Sequence, residues 1–363
     1  MTQLRVPGPT PCPPEVLKAM AWQMVNHRGP EFHAMLAEVT ENLKKIFQTK
    51  NDVLILTGSG TGGLEAAIVN ALSPGDKVLS VSIGVFGDRF ANIAATFGAD
   101  VLSYKVEWGK AADPGVIEKA IRDNPDIKAV MVTHNETSTG VTNDLKAISK
   151  VVKGSGKLLI VDAISSLGSI NLPVDELRCD VVITASQKGW MVPPGLAMVS
   201  VSPEAWKARE SAEMPNFYWD FVRAKNMYDE KKENPWTPAL SVVYGLTVAL
   251  KMMLKEGIHN VFARHERIGN MTREGIKNLG LPLFADPAYA SNTVTAVSVP
   301  AGMDVNKFRQ VLREQYKVVL AGGQQTLKGK IFRIGHLGLV DEKDIKEILT
   351  AIQKTLPIAG FKK

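Results

Sequence analysis

Val181-Val182-Ile183-Thr184-Ala185-Ser186-Gln187-Lys188-Gly189-Trp190 is the stretch on which the reading of this chain turns. A run of β-branched and apolar residues passes into small polar ones, then a lysine, then a glycine. Such a run, apolar almost throughout, is what a strand buried on both faces requires. A lysine just past the carboxyl end of that strand points into the crevice where open α/β sheets bind ligands. To attack an aldehyde its amine must shed a proton near neutral pH, and burial or a neighbouring cation provides the shift. Taken alone, the same ten residues also describe a solvated loop lysine.

Similar short runs lie on either side, at Val53–Thr57, Val78–Ser82, Val101–Val106, Ala129–Thr133, Leu158–Asp162 and Ala197–Val201. Helical stretches such as Gly62–Leu72, Val85–Phe97 and Leu145–Val152 separate them. This alternation predicts an α/β fold with a mostly parallel seven-stranded sheet. Ahead of it come a proline-rich N-terminal arm (1–14) and amphipathic helices over Glu15–Val25 and Glu31–Gln48. Past Pro203 the rhythm changes. Long helices are expected over Pro238–Glu256 and His259–Leu279, then a strand (Thr293–Val299), a helix (Val305–Gln315), a strand (Ile331–Ile334) and a helix (Glu342–Thr355). The expected organisation is an arm (1–14), a large domain (15–250) and a smaller C-terminal α+β domain (251–363).

Leu158-Leu159-Ile160-Val161-Asp162 sets a carboxylate at the end of an apolar strand. Burying it is costly without a charged partner. The protonated ring nitrogen of pyridoxal phosphate (PLP) is such a partner; a helix cap is the alternative. Thr57-Gly58-Ser59-Gly60-Thr61-Gly62-Gly63 follows one predicted strand and opens a helix, as a phosphate cradle does. Gly58, Gly60 and Gly63 also fit the dinucleotide fingerprint. That fingerprint wants an acidic residue ending the next strand. Here the strand ends Val81-Ser82-Ile83-Gly84, so a phosphate monoester is the better guest.

The whole chain has 363 residues, 45% hydrophobic, with a net charge of +6. Its basic residues are scattered, and runs such as Lys231–Lys232 and Lys362–Lys363 are short. A nucleic-acid surface needs a concentrated stripe, so no such partner is expected. No apolar run is long enough to span a membrane. The two cysteines, Cys12 and Cys179, form no metal-binding or disulfide pattern, and the N-terminus carries no apolar signal core. A cytoplasmic protein without a metal site is the expectation.

The order of several segments extends this reading. PGPTPCPPEVL (7–17), NHRGPEF (26–32), TGSGTGGLEAAI (57–68), GVFGDRF (84–90), THNETSTGV (133–141), VDAISSLGS (161–169), ASQKGWMVPPGLA (185–197) and FRIGHLG (332–338) run the length of the chain. Together they resemble the class V aminotransferases of PLP fold type I, in particular the alanine/serine–glyoxylate (serine–pyruvate) group. The resemblance implies Lys188 as the Schiff-base lysine and Asp162 as partner of the pyridine nitrogen. It implies Ile164 and Phe86 against the two ring faces, and Ser59, Gly60, Thr61 and Gln187 around the phosphate. Thr137 would meet the ring hydroxyl, and Arg333 the substrate α-carboxylate. The family often reaches the phosphate from a second subunit with a tyrosine and, three residues on, a threonine. Here Thr237 fits the threonine, whereas Asn234 stands in the tyrosine's place. Read without the resemblance, Phe86 could be core, Arg333 a surface ion pair, and Ser59 and Thr137 turn residues. His27 and His336 are given no catalytic role.

The resemblance thus implies a homodimeric aminotransferase, with its active site between subunits. It would carry the amino group of alanine or serine to glyoxylate or pyruvate. Aspartate, phosphoserine or 2-aminoethylphosphonate are alternative donors. A cysteine desulfurase of the same fold would need a cysteine within 317–330, where none occurs. A nicotinamide oxidoreductase and a non-catalytic binding protein are the remaining readings.

Overall fold

The computed structural model describes residues 2–361; the Lys362–Lys363 run lies outside the described residues. Strands in chain order are β1 (Gln3–Arg5), β2 (Asp52–Gly58), β3 (Lys77–Ser82), β4 (Asp100–Lys105), β5 (Ala129–Thr133), β6 (Asn135–Glu136), β7 (Val141–Thr142), β8 (Leu158–Asp162), β9 (Val181–Ala185), β10 (Gly195–Val201), β11 (Val294–Ser298), β12 (Val318–Gly322) and β13 (Ile331–Gly335). Helices are α1 (Pro14–Met20), α2 (Pro30–Phe47), α3 (Gly60–Ala71), α4 (Val85–Thr96), α5 (Pro114–Asp123), α6 (Leu145–Gly154), α7 (Pro203–Glu210), α8 (Phe221–Lys231), α9 (Leu240–Glu256), α10 (Ile258–Asn278), α11 (Val305–Gln315) and α12 (Glu342–Thr355).

The expected seven-stranded sheet is present, in the order β2-β10-β9-β8-β5-β3-β4. Only β10 runs against its neighbours. The inner strands β5 and β9 are buried along their whole length, because helices cover both faces. The helix α3 packs tightly against the sheet at Gly63. A Cβ on Gly63 would come within 2.7 Å of Ile183 Cγ2 and 3.0 Å of Ala197 Cβ, so glycine permits the approach.

A second, four-stranded sheet has the order β1-β12-β13-β11, with α10, α11 and α12 over the same core. The strands β1 and β12 pair in parallel, Gln3 opposite Val318 and Arg5 opposite Leu320. Arg5 adds an ion pair to Asp344 at 2.6 Å and a hydrogen bond to Leu339 O at 3.0 Å. The arm is thus a strand of this sheet as well as an extended segment.

The helix expected over Glu15–Val25 ends at Met20. Beyond it the Tyr244 hydroxyl accepts from Val25 N at 3.0 Å and donates to Gln23 O at 3.4 Å, so a tertiary contact takes over the backbone. Among the described residues no helix is long and apolar enough to cross a membrane.

Candidate active site

The parallel strands end on one edge of the large sheet, and the candidate residues follow those ends. After β2 come Ser59, Gly60 and Thr61; after β3, Phe86; after β5, Asn135 and Thr137. Asp162 closes β8, with Ile164 and Ser165 behind it, and Gln187 and Lys188 follow β9. All of them line one cavity, together with Arg89. A larger cavity of about 550 Å³ shares Phe86, Thr137 and Lys188 and adds Arg333 from β13. Thr237 is exposed and is not among the residues lining either cavity.

Asp162 is 3% exposed and accepts from Ile164 N at 2.9 Å. Burial pushes its pKa up to about 7, with the charge of Glu136 adding to the rise; Lys188 and Arg89 pull the other way. Lys188 is brought down to about 8, chiefly by burial, against the opposing pull of Asp162 and with help from Arg333 and Arg89. Its Nζ donates to Pro7 O at 2.5 Å, so the N-terminal arm lies directly over the amine. Gly8 fits there because it has no side chain: a Cβ would stand 2.5 Å from Nζ, and its φ of +116° suits glycine.

Arg333 donates from Nε to Gly322 O and from Nη1 to Thr137 O, both at 2.9 Å. Burial lowers its pKa to about 10, still leaving it charged at neutral pH. Neither of these bonds uses Nη2, which leaves that edge of the fork for a ligand. Thr137 Oγ1 donates to Ser165 Oγ at 2.8 Å, and Ser165 Oγ to Asn135 O at 2.8 Å.

These residues fit PLP on three counts. Asp162 is a buried carboxylate facing a cavity, with no cation hydrogen-bonded to it among the described residues, as a pyridinium partner should be. Gln187 lines the cavity with Ser59, Gly60 and Thr61, where its side-chain amide offers N–H donors. Ser59 precedes α3 without spending its hydroxyl on a cap, and the first-turn N–H groups of that helix have no intrahelical acceptor.

Two contributors escaped the sequence reading. Arg89 stacks over Phe86, 4.8 Å from the ring centroid, and its Nη1 donates to Thr61 Oγ1 at 3.4 Å. The signal was available, since Arg89 sits three residues beyond Phe86 on one helix face. Glu136 is fully buried and accepts from Phe86 N and Gly87 N at 3.1 Å, from Ser138 N at 3.0 Å and from Ser138 Oγ at 2.6 Å. It thereby fixes the start of α4 and the backbone that carries Phe86. His336, by contrast, is enclosed, with Nε2 2.8 Å from Thr295 Oγ1.

The model of the family "Aminotransferase class-V" matches residues 4–340. The soluble hydrogenase 42 kDa subunit of Anabaena cylindrica is 46% identical over 356 residues, covering 97% of this chain and 92% of that one. The serine–glyoxylate aminotransferase of Methylorubrum extorquens is 38% identical over 375 residues, covering 99% and 92%. Among solved structures, ureidoglycine–glyoxylate aminotransferase from Bacillus subtilis superposes with a TM-score of 0.95 at 31% identity, covering 99% of this chain and 94% of that one. The match runs almost end to end and takes in every strand of the cavity: the chain belongs to the class-V aminotransferases, and PLP is its cofactor.

Proposed function

We propose that this protein moves the amino group of a small amino acid, alanine or serine, to a 2-oxo acid such as glyoxylate or pyruvate. The observation that carries the reading is the single cavity shared by Lys188 and Asp162, with Arg333 opening from its substrate side. When bound, PLP supplies a sink for the electron pair released at the substrate α-carbon.

The chain's own residues do the rest. Ser59, Gly60, Thr61 and Gln187 hold the phosphate. Asp162 would hold the proton on the ring nitrogen, and Thr137 would meet the ring hydroxyl. Phe86 and Ile164, which line the same cavity, would enclose the ring. Arg333 orients the substrate through its α-carboxylate, offering the Nη2 edge. Lys188 Nζ takes the proton from the α-carbon and returns one at the neighbouring position; a pKa near 8 suits an amine that must act as base and acid.

Residues 15–250 form the cofactor-binding domain in this reading, and residues 251–363 the domain that brings Arg333. The working unit is a homodimer in the cytoplasm, with the active site at the subunit interface. The exposed aromatics Phe217 and Tyr218, whose rings stack with Trp236 just before Thr237, support that surface.

Replacing Lys188 with Ala tests the assignment. The purified variant is expected to lose both the visible absorbance of the bound cofactor and transamination of L-alanine or L-serine with glyoxylate or pyruvate. A variant that keeps both places the lysine elsewhere.

A further inference from the structure

The larger cavity is lined by four cationic side chains, Lys188, Arg309, Lys328 and Arg333, and by no carboxylate. Two of these have roles in the proposed reaction. Arg309, from α11, and Lys328, from the turn before β13, do not.

Arg309 is half-buried and built into the cavity wall. Its Nε donates to Leu320 O at 3.2 Å, which fixes the stem and leaves the guanidinium end forward. It makes no ion pair among the described residues. Arg309 and Arg333 flank the same small residue. Arg333 Nε bonds Gly322 O, while Arg309 Nη1 lies 3.0 Å from where a Gly322 Cβ would stand. The two guanidiniums are close enough for the charge on Arg309 to depress the pKa of Arg333. The buried Glu136 partly balances Arg333, but no carboxylate lines the cavity and Arg309 has no ion pair among the described residues, so an anion spanning the two arginines relieves their repulsion. One carboxylate on Arg333 leaves the second arginine and Lys328 unanswered.

We propose that Arg309, assisted by Lys328, is a second anion site, and that the preferred amino donor is an α-amino acid whose side chain ends in a carboxylate or a phosphate. The inference rests on Arg333 being the α-carboxylate anchor of the aminotransferase reading. The α-carboxylate takes Arg333, the α-carbon faces Lys188, and the distal acid reaches Arg309. Uncharged alanine and serine still react, without the distal contact.

The test is the half-reaction of the holoenzyme, followed by the loss of its visible absorbance. L-aspartate, L-glutamate and O-phospho-L-serine are compared with L-asparagine, L-glutamine and L-serine. Each acidic donor is expected to exceed its neutral counterpart in kcat/KM by about 10-fold or more, the worth of one charged hydrogen bond. Whether the carboxylate or the phosphate donor shows the larger ratio identifies the distal group. Arg309→Gln and Lys328→Gln should each cut the acidic-to-neutral ratio, whereas Arg309→Lys should retain most of it. A ratio is insulated from general loss of folded enzyme. Equal rates for acidic and neutral donors overturn the second site and leave the aminotransferase standing. Failure of every donor overturns the aminotransferase reading beneath it.

Discussion

Asp162 illustrates how far one residue can be read from its neighbours. An aspartate closing an apolar strand declares a cost, and among the described residues no cation hydrogen-bonds to it to meet that cost. Asp162→Asn is expected to lower kcat/KM at least about 100-fold, since an orphaned buried charge is worth ~3 kcal/mol or more. The loss should persist at saturating PLP, and steady-state kinetics checks it. That Lys188, Asp162 and the 59–61 segment meet at one cavity was legible because each lies at or just past a strand end, and parallel topology collects strand ends on one edge. Glu136, Arg89 and Arg309 were not assigned. Their roles depend on what faces them across the cavity, and only the assembled fold supplies those partners.

At the level of elements, the large sheet was legible as continuous apolar runs, whereas β1 and β12 were not. Three residues, Gln3–Arg5, carry no periodicity, and Val318–Gly322 ends in a glycine beside another. The joint between α10 and the turn at Gly338 was equally silent. His265 makes that joint: Nδ1 lies 2.7 Å from Val261 O, and Nε2 accepts from Gly338 N at 3.0 Å. Burial holds its pKa down at about 3, so the ring is neutral and its proton sits on Nδ1. In the unfolded chain the ring binds a proton below about 6.5. The unfolded state therefore takes up more protons as pH falls from there toward 3, and the stability His265 contributes is lost across that interval. The stability gap between wild type and His265→Gln, from urea unfolding, is expected to be widest near neutral pH and to narrow on acidification. A gap independent of pH would mean that the ring is not held neutral.

Across the whole molecule, the N-terminal arm ties the two sheets together. The strand β1 closes the edge of the small sheet, and Pro7 reaches the lysine beneath the large one. Removing residues 2–8 should therefore act on both. The melting temperature is expected to fall by about 5 °C, from the lost strand and the Arg5–Asp344 pair. Cofactor occupancy, read from absorbance, should fall with it. A truncated protein that melts unchanged and stays fully loaded would show the arm to be passive. The same pairing sets an order of events on the ribosome. The strand β1 lies about 310 residues ahead of its partner β12, so it waits on the order of 20–60 s at ordinary elongation rates. During that time its edge is open to any other chain nearby, and the small sheet becomes complete only once β12 has been made.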